Sequence, residues 1–233
     1  MRLPLSVVIS CAGRGSRLGL GTTKALAMIG GRPLIAWHLD LLAHHPDVRI
    51  VVGYDARRLI DAVRAIRRDV LFVFNHDYRE TGTAASISLA ARGLPPGAQV
   101  LSIDGDLLVH PRSLAELMAA SGNRLGVLSP LATLSSEPVC ALIDGRNGLV
   151  HGFTREATKA TTLEWSGLFR GEVDLIHKAN ALGLGRNHVY QMLEPFLPMP
   201  YLEIDATEID TPEDFRRAEA WMAKARRDWK PIS

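Results

Sequence analysis

The sequence predicts an α/β chain built on a doubly wound, mostly parallel central sheet, read as one domain over residues 1–233. Three observations predict it. Short apolar runs at Val7–Ile9, Ile50–Val52 and Val70–Phe74 read as buried strands. Segments with helical spacing separate them, which is the alternation of a parallel sheet. The second half carries further strand runs around a glycine-containing turn, which predicts mixed or antiparallel strands there.

Composition narrows the function. Hydrophobic residues make up 47% and charged residues 22%, ordinary for a soluble globular chain. A net charge of +2 with no basic block argues against nucleic-acid binding. Cys11 and Cys140 have no metal or redox spacing, so a reduced, cytoplasmic chain is the expectation. Leu3 to Ala12 has the apolarity of a secretory h-region. It has only Arg2 before it and runs into a glycine-rich loop, so it is read as a strand and not a leader. No apolar run approaches a membrane span. The expected partners are small molecules, with no nucleic acid and no membrane; a homodimer is left open.

The first strand breaks into Cys11-Ala12-Gly13-Arg14-Gly15-Ser16-Arg17-Leu18, and Lys24 follows six residues later. Gly13 and Gly15 let backbone N–H groups approach a ligand. With Arg17 and Lys24 they form an anion site suited to a polyphosphate, unless the stretch is only an exposed basic turn. Two familiar phosphate loops do not fit. The P-loop needs Gly-Lys before Ser or Thr, but Lys24 lies between Thr23 and Ala25. The dinucleotide fingerprint needs a third glycine where Leu18 stands.

Met28 to Pro33 reads as a turn with Pro33 at the first helical position, and Leu34, Trp37, Leu41 and Leu42 recur at helical spacing. Leu59, Val63 and Ile66 mark a second helix. After the third strand, Asn75 to Ala84 lies on the ligand edge of the sheet, and Thr83 is expected to cap a helix from Ala84 to Ala91. Val100 to Ile103 runs into Asp104-Gly105-Asp106. That is either a simple Asp-Gly turn or a pair of hard oxygen ligands suited to Mg²⁺ shared with substrate phosphates.

Arg124 to Ser129, Val139 to Ile143 and Leu149 to Phe153 read as strands, with Asp144 to Gly148 as the hairpin turn. Arg155, Glu156 and Lys159 lie in a polar loop where most charges are solvated. Trp165 fits a core or a ligand wall, and an aromatic suits an organic cation. Glu172 to Ala181 and His188 to Phe196 read as helices, and Tyr201 to Asp205 as a last strand. Thr211, Pro212 and Asp214 form a capping-box start for a helix reaching about Arg227, with Asp210 just ahead of it.

Ala12-Gly13-x-Gly15-x-Arg17-Leu18 with a following Lys24 resembles the signature of the sugar-phosphate nucleotidyltransferases, whose fold is glycosyltransferase-A-like and Rossmann-like. Ser10-Cys11 and Thr23 depart from the family's usual Leu-Ala and Pro. Gly82-Thr83-Ala84, Asp106 and Glu208-Ile209-Asp210-Thr211-Pro212-Glu213-Asp214-Phe215 follow in the family's order. Asn75, Tyr78 and the Ser86 region resemble the branch that activates phosphocholine or 2-aminoethylphosphonate with CTP.

The resemblance implies roles. Lys24 and Arg17 would act on the triphosphate. Ala12, Gly13, Arg14, Gly15, Ser16, Thr81, Gly82, Thr83 and Asp104 would contact the nucleotide, with Asp104 also an outer partner or alternate at the metal. Mg²⁺ would be held by Asp106 and Asp210, with Asp205 as a rival carboxylate. Glu164 to Phe169 would line the acceptor pocket, and Lys159, Trp165 and Ser166 would meet the acceptor. The alternatives are a sugar-1-phosphate nucleotidyltransferase using UTP or dTTP, and a nucleotide-binding module without turnover.

Overall fold

The computed structural model describes residues 4–15, 19, 21–128, 138–145, 147–156 and 162–232. In chain order the strands are β1 (Leu5–Ser10), β2 (Met28–Ile29), β3 (Arg32–Pro33), β4 (Val48–Val52), β5 (Leu71–Phe74), β6 (Gln99–Asp104), β7 (Leu107–Val109), β8 (Arg124–Leu128), β9 (Cys140–Asp144), β10 (Leu149–Thr154), β11 (Thr162–Glu172), β12 (Met199–Ile204) and β13 (Ala206–Glu208). The helices are α1 (Leu34–Leu41), α2 (Ala56–Ile66), α3 (Thr83–Ala90), α4 (Pro111–Ala119), α5 (Val173–Ala181), α6 (Val189–Leu193) and α7 (Pro212–Ala225).

A nine-stranded sheet runs in the order β5-β4-β1-β6-β11-β8-β12-β10-β9. The block β5-β4-β1-β6 is parallel throughout. From β11 onward the sheet is mixed, as the strand-rich second half implied: β11 is antiparallel to β6 and β8, while β8 and β12 are parallel. At its start β11 also pairs with β9, so this one long strand joins the two halves.

The sheet is covered on both faces, and β1 is apolar on both. Val7 and Ile9 pack with Ile35 and Leu39 of α1, Leu59 of α2 and Leu114 of α4. Val8, pointing the other way, packs with Ile87 of α3, Ile176 of α5 and Met192 of α6. A smaller cluster joins α7 to α1 through Trp37, Ile209 and Met222.

Three local expectations shift. Pro33 sits one residue earlier than expected, as the extended residue preceding α1. Thr83 is the first residue of α3, not its cap: Gly82 precedes the helix, and the Thr83 hydroxyl accepts from the Val189 N–H at 3.2 Å. The strand expected over Tyr201 to Asp205 is β12, Met199–Ile204, and a further short strand, β13, follows it, so Asp205 lies between the two. The Thr211 capping box forms as expected, with Pro212 in the first turn and the Asp214 carboxylate accepting from the Thr211 N–H at 2.8 Å. No helix among the described residues is long and apolar enough to cross a membrane.

Candidate active site

The site lies at the carboxyl ends of the parallel strands, where open α/β sheets bind ligands. β1 and β6 run side by side to their last residues, Ser10 opposite Asp104. Just beyond, the Gly105 N–H donates to the Ser10 carbonyl at 2.9 Å. A Cβ at Gly105 would stand 2.6 Å from the Cys11 sulfur, so only glycine allows this close crossing. It turns Asp104 and Asp106 toward the loop after β1. Burial pushes the Cys11 thiol pKa up, and the charges of Asp106 and Asp104 push it the same way, which leaves the sulfur an inert packing group.

Lys24 opens a 3₁₀ turn, Lys24–Leu26, at the end of the same loop. Gly15, at φ +58°, lies against the lysine stem; a Cβ there would come within 2.6 Å of Lys24 Cγ. The Lys24 ammonium donates to Asp106 Oδ2 at 2.7 Å and also to Asp210 Oδ1. Burial works against its charge, but Asp106 and Asp210 outweigh it and raise the pKa.

Asp210 reaches this point from the far end of the chain through a short antiparallel pair. β7 and β13 set Glu208 opposite Leu107, and the Ile209 N–H donates to the Asp106 carbonyl at 3.1 Å. Asp106, Glu208 and Asp210 each offer a carboxylate oxygen, all within 4.8 Å of one another. Desolvation, then the charges of Asp106 and Asp210, raise the Glu208 pKa. Asp104 is raised in the same way, by burial first and Asp106 second, and its Oδ1 is buried without a hydrogen-bond partner among the described residues. Hard oxygen donors converging around one ammonium form a set that fits a divalent cation such as Mg²⁺.

These groups face a cleft of about 340 Å³. Gly13, Gly15, Thr83, Asp104, Arg155, Glu164, Trp165, His188 and Tyr190 are among the residues that line it. There Phe153 meets Trp165 edge-on at 5.7 Å and Tyr190 at 5.8 Å between ring centres.

The profile of the MobA-like NTP transferase domain matches residues 7–151, which span the opening loop, both aspartates of β6 and its turn, and the strands on either side. The chain belongs to this family. Among curated relatives of this MobA-like NTP transferase, the bifunctional protein GlmU of Halorhodospira halophila is 36% identical over 128 residues, 54% of this chain and 26% of its own length. The GlmU of Neisseria meningitidis serogroup C is 29% identical over 160 residues, 67% of this chain and 34% of its own. The chain thus covers between about a quarter and a third of the length of these relatives.

Solved structures share the fold. The CTP:phosphocholine cytidylyltransferase of Streptococcus pneumoniae (LicC) superposes with a TM-score of 0.68 at 20% identity, over 94% of this chain and 100% of the other. The inositol-1-phosphate CTP transferase of T. maritima gives 0.77 at 17%, over 96% of each chain. A putative glucose-1-phosphate thymidylyltransferase of Bacillus anthracis gives 0.75 at 17%, over 93% and 94%.

Within this MobA-like transferase the residues singled out from sequence sort unevenly. Lys24, Asp104, Asp106 and Asp210 meet at one point, and Gly13, Gly15, Thr83, Trp165 and Ser166 line the same cleft. A Cβ at Gly13 would meet nothing within 4 Å, so that backbone faces open space. Ser16, Arg17 and Lys159 lie outside the described residues. Ala12 is buried, its carbonyl accepting from the Tyr54 N–H at 3.0 Å, and exposed Arg14 lies over the Tyr54 ring.

Thr81 bonds within its own loop, its hydroxyl donating to the Asp77 carbonyl at 2.9 Å. The Gly82 N–H donates to the Arg186 carbonyl at 2.8 Å, and a Cβ there would be 2.4 Å from the Asn187 carbonyl oxygen. Gly82 is therefore a packing glycine under the 186–188 segment. The Ser166 hydroxyl donates to the Gly126 carbonyl at 2.7 Å and accepts from the Leu168 N–H, shaping the β11 bulge. Asp205 is not in the carboxylate cluster; it accepts from the Trp221 indole N–H at 2.8 Å. Sequence reasoning missed His188 and Tyr190, named Glu164 only within the segment lining the acceptor pocket and Glu208 only within the motif around Asp210, and left Arg155 among the solvated charges.

Proposed function

We propose that this chain is a Mg²⁺-dependent nucleotidyltransferase, joining a nucleoside triphosphate, CTP in preference, to a small phosphate or phosphonate acceptor such as phosphocholine or 2-aminoethylphosphonate. The observation that carries the reading is the convergence of Lys24, Asp106, Glu208 and Asp210 at the head of the parallel strands, in one cleft with Gly13 and Gly15. The two CTP-using proteins with this fold, and the aromatic wall at Trp165 and Tyr190, support the choice of base and of a cationic acceptor.

An acceptor oxygen attacks the α-phosphorus of the triphosphate, the bond from that phosphorus to the bridging oxygen breaks, and pyrophosphate leaves with the electron pair. The acceptor phosphate is already largely ionised near neutrality, its second pKa being about 6, so no general base is required. The protein's task is to align two anions and neutralise the charge between them. Backbone at Gly13 and Gly15 gives the triphosphate room beside Lys24, and Arg17 would add a second positive charge for it. The lysine ammonium neutralises charge building on the transferred phosphoryl group. Asp106 and Asp210, with Glu208 beside them, would hold Mg²⁺, which supplies Lewis-acid stabilisation of the phosphate oxygens when bound.

A pyrophosphate-release assay with Mg²⁺, a panel of triphosphates and a panel of acceptors tests this. Release that needs both CTP and a phosphate or phosphonate acceptor supports the reading. Release only with UTP or dTTP and a sugar 1-phosphate replaces it with a second reading, which the GlmU relatives and the thymidylyltransferase fold neighbour favour. Nucleotide binding without release leaves a binding module.

A further inference from the structure

Glu164 stands on the acceptor side of the cleft, in the stretch of β11 that pairs with both β8 and β9. The residue is only 4% exposed, yet its Oε2 atom is buried without a hydrogen-bond partner among the described residues. The charged groups of α7 that act on it, Asp214 and Arg217, are paired with each other and do not bond it. A buried acceptor left unmade is costly, and a carboxylate more so than a neutral group. The Ser166 hydroxyl, two residues along β11, by contrast both donates and accepts within the backbone. The cleft that Glu164 lines is where a ligand would supply the missing partner.

We propose that Glu164 selects the acceptor, its Oε2 accepting a hydrogen bond from the protonated primary amine of an aminoalkyl phosphonate or phosphate. This rests on the nucleotidyltransferase reading for the far end of the acceptor. The chemistry requires both a positive charge and an N–H. A quaternary ammonium brings the charge and satisfies the aromatic wall, but it has no hydrogen to give. A hydroxyl brings the hydrogen and leaves the carboxylate charge uncompensated. Only a protonated amine does both.

The test uses the full chain and four probes: 2-aminoethylphosphonate, its N-trimethyl analogue, 2-hydroxyethylphosphonate and ethylphosphonate. Calorimetric binding reads the selection without turnover, and pyrophosphate release with CTP and Mg²⁺ reports separately on the nucleotidyltransferase reading. Wild-type protein should bind the primary amine roughly a hundredfold or more tightly than the other three. Glu164→Gln keeps the shape and an acceptor oxygen but loses the charge; it should erase that preference while leaving ethylphosphonate binding unchanged. A wild-type ranking with the trimethyl or hydroxyl probe first overturns the proposal whatever the variant does. So does a Glu164→Gln variant that weakens all four probes equally or none. Absence of pyrophosphate release with selective amine binding would sink the transferase reading and leave the Glu164 assignment standing.

Discussion

Replacing Lys24 by methionine keeps most of the stem and removes a cation that touches both Asp106 and Asp210. The side chains of this trio are 17–24% exposed, between a surface pair and a fully buried one. Loss of the ammonium should therefore cost about 2–3 kcal/mol, above the surface range and at the foot of the buried one. For a chain of this length that lowers Tm by roughly 5–10 °C. The cost depends on pH with a definite sign. Asp104 and Glu208 have pKa values raised by desolvation, so at low pH they carry protons and need no counter-charge. The penalty in Lys24→Met grows as pH rises and these carboxyls ionise.

The same geometry predicts that a divalent cation restores what the ammonium supplied. Binding at about a hundred times Kd contributes about 2.7 kcal/mol, enough to offset the loss. In wild type the cation must first displace Lys24, so the gain is smaller. Melting curves of both proteins, with and without Mg²⁺ and at two pH values, measure every quantity here. Steady-state kinetics add the catalytic side: kcat should fall on the order of a hundredfold or more, with the nucleotide KM less affected. Lys24→Arg should recover little, because a planar fork does not replace a compact ammonium between two carboxylates. A Lys24→Met protein that melts like wild type, gains no more from Mg²⁺ and keeps its kcat refutes the reasoning.

Three further outcomes follow from named contacts. Asp106→Asn and Asp210→Asn should each abolish most pyrophosphate release while remaining folded by circular dichroism, and Glu208→Gln should weaken Mg²⁺ binding. Asp205→Asn, whose partner is Trp221, should stay active, and a dead Asp205→Asn beside an active Asp210→Asn would reverse the assignment. Gly167→Ala, at φ +83° with a Cβ that would lie 2.4 Å from Asp104 Oδ2, should cost more stability than Gly183→Ala, at φ +78° in open space; equal urea midpoints would show that Asp104 yields freely. Burial first, and Asp214 second, push the Glu164 pKa up to about 7 against the pull of Arg217. A carboxyl raised on folding stabilises in full below its unfolded pKa near 4.5 and loses that contribution as pH rises through 7, at most about 3 kcal/mol. Urea titrations at pH 5 and pH 8 should show a larger loss of stability in wild type than in Glu164→Gln, which keeps only the part due to Asp104 and Glu208.

How much of this was legible beforehand depended on whether the signal was local. β1, β4 and β6 are largely apolar because both faces of a central parallel strand are buried, and they were readable at once; β5 read the same way although, at the sheet edge, it leaves Leu71 and Phe74 exposed. So was the start of α7, whose cap is contained in five consecutive residues. β11 was read only as a pocket segment: Glu164, Ser166, Gly167 and Arg170 interrupt its apolar residues, and the bulge between Trp165 and Phe169 breaks the alternation. β7 and β13 are three residues each and pair only with one another, too short for any period. α4 was overlooked although Leu114 and Leu117 carry a helical spacing. Glu164 and Glu208 lay in stretches marked by resemblance, but no local signal gave either a role of its own: tertiary structure buries Glu164, and Glu208 reaches Asp106 only through the β7–β13 pair. Thr83 misled for the opposite reason: its local cap signal was strong, but the Val189 N–H claimed the hydroxyl.

The placement of β11 explains why these illegible residues matter together. Its last residues, Phe169 to Glu172, lie against β6, so Gly167 just before them can bring its backbone onto the Asp104 carboxylate, while three residues earlier Glu164 also lines the cleft. A regular strand would carry an L-residue at 167, and that Cβ would occupy the space Asp104 now fills. The positive φ at Gly167 and the Ser166 hydroxyl bridging Gly126 and Leu168 hold the bulge open instead. The acidic cluster and the Glu164 wall are thus fixed relative to one another by one strand and not by two independent loops. A two-anion reaction needs that: the acceptor oxygen and the α-phosphorus must meet in line, and displacement of either side by about 1 Å costs on the order of a hundredfold in rate. Straightening the bulge with Gly167→Ala should therefore reduce kcat with every acceptor alike, whereas Glu164→Gln should change the ranking of acceptors. Measured on the same panel, the two variants separate alignment from selection. A Gly167→Ala enzyme that alters only the ranking would show that the bulge shapes the pocket and does not join the two halves.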